Sequence, residues 1–138
     1  MQLAIPEKLW LGNAMEARDI SAVIALGITA VIDLAAEEAP IPYPRDIVYC
    51  RLPLVDGAGN QPELIRAAVD LVATFIKAHV PTLVACGAGM SRSPAIVAAG
   101  IAEARGESLQ SALEQITAGK THDLSTSLWA EINAVCRR

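Results

Sequence analysis

Apolar positions along this chain follow two rhythms. Short apolar runs bounded by glycine, proline or aspartate read as buried strands, and stretches with apolar residues three or four apart read as helices. Leu9-Trp10-Leu11-Gly12 is the first short run and ends in a turn. Asn13 then caps a helix over residues 14–26, with Ala17, Ile20 and Ile24 inward and Gly27 as its stop. Residues 28–34, rich in β-branched side chains, predict a central strand, and residues 47–54 predict another. Between them, residues 37–46 carry Pro40, Pro42 and Pro44 and read as an extended loop.

Asp56-Gly57-Ala58-Gly59-Asn60 predicts a flexible loop before Pro62 opens a long helix. In that helix Leu64, Ala68, Leu71, Val72, Phe75 and Ile76 share one face. Pro81 ends it and leads into a buried strand over residues 82–85. Residues 94–104 are almost wholly small and apolar, as suits a helix at the centre of the fold, and Gly106 breaks it. Leu109, Ala112, Leu113 and Ile116 mark an amphipathic helix closing at Gly119. Ser125 caps a last one, with Leu128, Trp129, Ile132 and Val135 inward. Alternation of strand and helix, then mostly helices, predicts an α/β domain in three layers: a small, mostly parallel central sheet flanked by helices. No repeat or linker interrupts residues 1–138, which read as a single domain.

Composition narrows the function classes. The net charge of −4 leaves no general surface for nucleic acid or an anionic membrane. Cys50, Cys86 and Cys136 are an odd number without metal-ligand spacing, which points away from a disulfide framework or a zinc site. No cofactor is implied. The first residues lack the basic flank and apolar core of a signal peptide, and no apolar run reaches about 18 residues. The expectation is a reducing, cytoplasmic location; oligomeric state leaves no trace in the sequence.

Chemistry concentrates where the strand over 82–85 meets the small apolar helix. Cys86 stands at the strand end, Gly87 and Gly89 allow a tight curl of inward-pointing amides, and Arg92 follows six positions after the cysteine. Ser93 reads as the helix cap and Pro94 as its first residue. Curled amides and a helix N-terminus converge on one spot that suits an oxyanion of phosphate size. A thiol there feels the helix dipole, the amides and a guanidinium, all favouring the thiolate. Arg92 offers two parallel donors to phosphate oxygens. A nucleophile beneath such a cradle implies phosphoryl transfer through a phosphocysteine. The bland alternative, a small buried cysteine beside a capped helix, explains each residue singly but not their joint spacing.

The pattern Cys-x-x-Gly-x-Ser-Arg-Ser, at Cys86, Gly89, Ser91, Arg92 and Ser93, resembles the signature loop of protein tyrosine phosphatases, in a setting similar to the dual-specificity branch. The run from Leu9 through Asn13 and on to Leu34 is similar to the opening segment of the same branch. The resemblance implies a phosphatase-like three-layer fold and a phosphorylated protein or other phosphomonoester as substrate. It makes Cys86 the nucleophile, Arg92 the phosphate binder and Asp56, 30 residues before the cysteine, the general acid and base. Ser93 would donate to the thiolate, Gly87, Ala88, Gly89 and Met90 would supply backbone amides, and Ser91 would support the loop. The late position of the loop, with the acid before it, differs from the low-molecular-weight phosphatases, and the loop pattern differs from rhodanese-like sulfurtransferases.

One departure stands out. The family pattern has histidine immediately before the cysteine, and this chain has Ala85. Losing that histidine's hydrogen bonds implies reduced activity. It also gives some support to a rival reading, a phosphatase-like module that binds phosphorylated partners without turnover. Other chemistry-bearing residues have simpler readings: His79 ends a helix, His122 and Asp123 lie in a loop without a nucleophile, Trp10 and Trp129 are core, and Cys50 is buried on a strand.

Overall fold

The apolar runs pair as a five-stranded sheet in the computed structural model, which describes residues 1–120 and 122–136. The strands are β1 (Gln2–Ile5), β2 (Leu9–Asn13), β3 (Ala30–Ala35), β4 (Val48–Leu54) and β5 (Thr82–Cys86), in the spatial order β1-β2-β5-β3-β4. β1 runs antiparallel to β2, and all other neighbours are parallel. β5 is central, with Asn13 opposite Cys86 on one side and Asp33 opposite Ala85 on the other. Cys86 therefore leaves the middle of the sheet at the carboxyl ends of parallel strands, where open α/β sheets form crevices. The hydrophobic pattern did not announce β1. Its four residues are too few for alternation to register, and it is held as an edge strand by pairing with β2.

Among the described residues, six helices surround the sheet: α1 (Ala14–Arg18), α2 (Ile20–Ala25), α3 (Pro62–Lys77), α4 (Arg92–Arg105), α5 (Leu109–Thr117) and α6 (Thr126–Cys136). The single helix expected over 14–26 is two. Asp19 ends α1 and caps α2, its carboxylate accepting from Ala22 N–H at 3.2 Å. A short acidic side chain that can bond nearby amides offers the backbone an alternative to continuing the helix. α4 also begins earlier than expected. Ser91, not Ser93, is its N-cap, so Pro94 falls inside the first turn, where a missing N–H leaves no intrahelical bond unmade.

Side chains alternate across the sheet and build a core on each face. Leu9, Leu11, Ile32, Leu34, Val84 and Cys86 face α3, α4, α5 and α6. Trp10, Val31, Leu83 and Ala85 face Ala17 of α1, Val23 of α2 and Ile41 of the β3–β4 loop. The expected three layers are present. On α3 the fully buried residues are Ile65, Ala68, Val69, Val72 and Ala73, while Leu64, Leu71, Phe75 and Ile76 pack at the margin. The buried stripe is turned toward α4, which comes unusually near. A Cβ added at Gly100 would lie 2.7 Å from Val72 Cβ. Trp10 is core as expected, Trp129 packs only partly against the core, and Cys50 on β4 is half-buried rather than buried. Among the described residues, no helix is long and apolar enough to cross a membrane.

Candidate active site

β5 delivers Cys86 to the sheet end, residues 87–91 curl over it, and α4 points its N-terminus back at the sulfur. The curl is fixed against β2. Ala14 N–H donates to Gly87 O at 3.1 Å. Asn13 and Glu16 exchange side-chain and backbone hydrogen bonds of 2.8 and 2.9 Å, a capping box that anchors the same corner. Gly89 is required here: its φ is +75°, and a Cβ would lie 3.2 Å from backbone atoms of Gly12 and Asn13. Ser93 N–H donates to Cys86 Sγ at 3.4 Å, so a helix-start amide supports the sulfur directly.

A cavity of about 370 Å³ opens above this loop. Cys86, Asp56 and Arg92 all line it, with Gly87, Ala88, Met90 and Ser91. Gly89 and Ser93 do not. The Ser93 hydroxyl is fully buried and makes no hydrogen bond among the described residues, so its amide, and not its hydroxyl, hydrogen-bonds to the sulfur.

Arg92 is 5% exposed and is held by a residue the sequence did not single out. Glu37 accepts from both terminal nitrogens at 2.6 and 2.7 Å, and Leu54 O accepts from Nη1 at 3.0 Å. The guanidinium holds the Glu37 carboxyl down to about 2, against the smaller opposing effect of burial. Glu37 in turn raises the Arg92 pKa above its ordinary value. Among the described residues, buried Arg92 Nε has no hydrogen-bond partner. The guanidinium is thus braced on one edge and unpaired at Nε. The Glu37 backbone is itself clamped by Arg51, whose Nη2 donates to the carbonyls of Ala35 at 3.3 Å, Ala36 at 3.4 Å and Glu38. Buried Asp33 ties the same loop down by accepting from Tyr49 Oη at 2.6 Å, and Tyr49 Oη accepts from Ile41 N–H at 3.0 Å.

Hydrogen bonds fasten the loop carrying Asp56, which the sequence reads as a flexible segment. Asn60 Oδ1 accepts from Val55 N–H at 2.8 Å, and its amide donates to Val55 O and Gly57 O at 3.1 and 3.0 Å. Glu131 of α6 accepts from the backbone of Gly59 and Asn60 and from the Asn60 side chain at 2.8–3.3 Å. Burial acts to raise the Glu131 pKa, but these bonds outweigh it and hold the carboxyl below its ordinary range. Asp56 itself accepts from Ser91 Oγ at 2.6 Å. The glycines permit the turn, while Asn60 and Glu131 remove its freedom.

The remaining candidates lie outside this constellation. His79 follows α3 with φ +57°, its carbonyl accepting from Lys8 Nζ at 3.2 Å. His122 sits in the α5–α6 loop, 3.0 Å from Gln2 Oε1. Its neighbour Asp123 borders the cavity and donates its N–H to Met90 O at 3.0 Å. Ala85 is fully buried, on the sheet face opposite to Cys86. Glu37, Arg51, Asn60 and Glu131 went unrecognised because no local motif marks them. Their partners lie from 3 to 72 positions away in sequence, Asn60 binding near at hand and the others chiefly far along the chain.

Residues 9–137 match the catalytic domain family of dual specificity phosphatases. Dual specificity protein phosphatase 1B of Arabidopsis thaliana is 31% identical over 116 residues, covering 81% of this chain and 67% of that protein. Dual specificity protein phosphatase 15 of Homo sapiens is 31% identical over 115 residues, covering 80% of this chain and 37% of that longer protein. In fold, the crystal structure of human DUSP28 superposes with a TM-score of 0.83 at 21% identity, over 98% of this chain and 94% of that one. By its matched domain and its relatives, this chain belongs to the dual specificity phosphatase family.

Proposed function

We propose that this protein hydrolyses phosphomonoesters, phosphorylated protein side chains foremost, through a phosphocysteine on Cys86. One observation carries the reading. Cys86, its sulfur already bonded to a helix-start amide, lines one cavity with Asp56 and Arg92, and Arg92 Nε is buried without a partner among the described residues. A buried donor is seldom left unmade in a native fold, and this reading gives Nε a cavity ligand that accepts hydrogen bonds. A phosphoryl group supplies such acceptors.

In this reading the cradle of loop amides and Arg92 holds the phosphoryl oxygens and lines phosphorus up with Cys86 Sγ. The S–P bond forms as the ester P–O bond breaks, and Asp56 gives its proton to the departing oxygen. Ser93, its hydroxyl free, turns to the sulfur as leaving group in the second step. Asp56, now a carboxylate, takes a proton from the attacking water. Glu37 keeps the guanidinium in register throughout. The cavity is bordered by the carboxyl groups of Glu37, Asp56 and Asp123 against one guanidinium. That balance disfavours substrates with several phosphates, such as inositol polyphosphates.

The test is phosphate release from para-nitrophenyl phosphate under reducing conditions, beside Cys86→Ser and Asp56→Asn. Turnover is expected in the wild type, abolished by the first change and lowered by about 10²-fold or more by the second. Ala85 favours one other reading, a module that binds phosphorylated partners without turnover. A folded, reduced wild type that binds a phosphopeptide yet releases no phosphate would establish it instead.

A further inference from the structure

We infer that Ser91 is a positioning residue for Asp56: it fixes which carboxyl oxygen carries the transferable proton. The inference rests on the phosphatase reading above and adds to it a residue otherwise assigned to loop support. Ser91 occupies the N-cap of α4, where a serine hydroxyl ordinarily accepts from an amide of its own helix. Here it makes no such bond. Its oxygen instead accepts from Ser125 N–H at 2.9 Å, and its proton is donated to Asp56 Oδ1 at 2.6 Å.

A backbone N–H can only donate, so Ser125 occupies one lone pair of Ser91, and the hydroxyl proton is directed at Asp56 Oδ1. Oδ1 is then an acceptor, and the proton of the neutral carboxyl resides on Oδ2. Among the described residues, nothing hydrogen-bonds to Oδ2, and Asp56 borders the cavity. When the ester P–O bond breaks, the proton on Oδ2 passes to the leaving oxygen. Asp56 is left as a carboxylate still held by Ser91, ready to take a proton from water in the second step. The Asn60 and Glu131 bonds hold the loop backbone, and Ser91 holds the carboxyl group itself.

A positioning role for the acid has a signature that general loosening of the loop lacks, which is dependence on the leaving group. Phenyl phosphate departs as a strongly basic phenoxide and needs the proton, whereas para-nitrophenyl phosphate needs it much less. Ser91→Ala is expected to lower kcat on phenyl phosphate by about tenfold more than on para-nitrophenyl phosphate, a fraction of what an acid contributes. Ser91→Thr, which keeps the hydroxyl, is expected to recover most of the difference. Made in an Asp56→Asn background, Ser91→Ala is expected to add little further loss, since the two act as one unit. Thermal melting of each variant checks folding. Equal losses on both esters, or additive losses in the double variant, overturn this role while leaving the phosphatase reading intact. A wild type that turns over neither ester overturns that reading, and this one with it.

Discussion

Glu37 braces Arg92 across a charge-assisted pair of hydrogen bonds, and the brace has a definite pH range. Its carboxyl is lowered from an ordinary 4.5 to about 2. A depressed carboxyl contributes its stabilisation fully above the unfolded value and loses it as pH falls through the folded one. The pair is therefore complete above pH 5 and decays between about 4.5 and 2, so Glu37 does not shape activity near neutrality by titrating. In thermal melts, the gap between wild type and Glu37→Gln is expected to be constant from pH 7 to 5 and to shrink below 4.5. In kinetics at pH 7 the same variant is expected to lose about tenfold or more in kcat/KM, as one charge-assisted bond is weakened. A side chain more than half exposed accounts for the modest stability term, while its partner's burial makes the kinetic effect the larger one. At position 85 the lesson runs the other way. Ala85 packs among Trp10, Ala17 and Leu83, so a histidine there would have to displace core before it could aid Cys86.

Elements were legible wherever one local rule governed them. β2, β3, β5 and α3 to α6 follow apolar period, proline and glycine stops, and caps, and their ends fall within a few residues of expectation. Where two local preferences competed, the period alone misled. Asp19 could sit mid-helix or cap one, and the cap won. Ser91 and Ser93 are both good caps, and packing of the loop on β2, with Gly89 at positive φ, selected the earlier one. The buried stripe of α3 lies about one position round from the expected one, on the side where Gly100 lets α4 approach Val72. Gly100→Ala tests this close approach directly. Alanine is normally the better helix former by about 1 kcal/mol. Here its methyl would collide with Val72, and the variant is expected to unfold with about 1–3 kcal/mol less stability in urea titration. A stabilised variant would show that the two helices part freely.

At the scale of the whole molecule, the site is gathered from both ends of the chain. Cys86, Arg92 and Asp56, which line one cavity, could be singled out beforehand from residue type and order. Glu37, Arg51 and Glu131 could not, because a lone acid or base in a loop or on a helix carries no sign of what lies across the fold from it. Glu131 is the farthest-reaching of these, since through Gly59 and Asn60 it fastens the Asp56 loop to the last helix. Glu131→Ala is expected to speed hydrogen exchange at the Gly59 and Asn60 amides by about tenfold, with little change at β5. Because the Glu131 carboxyl lies below its ordinary range, the tie is present above that range and weakens as pH falls beneath it, so the protection of these two amides relative to their intrinsic exchange rate should fall on acidification.

The tie to α6 also sets an order of events during synthesis. Cys86 emerges from the ribosome about 45 residues before Glu131, an interval of roughly 2–9 s at about 5–20 residues per second. A nascent chain in that interval would carry the Cys86 thiol without a settled Asp56 loop beside it. The thiol would be open to alkylation or oxidation until α6 had joined the fold.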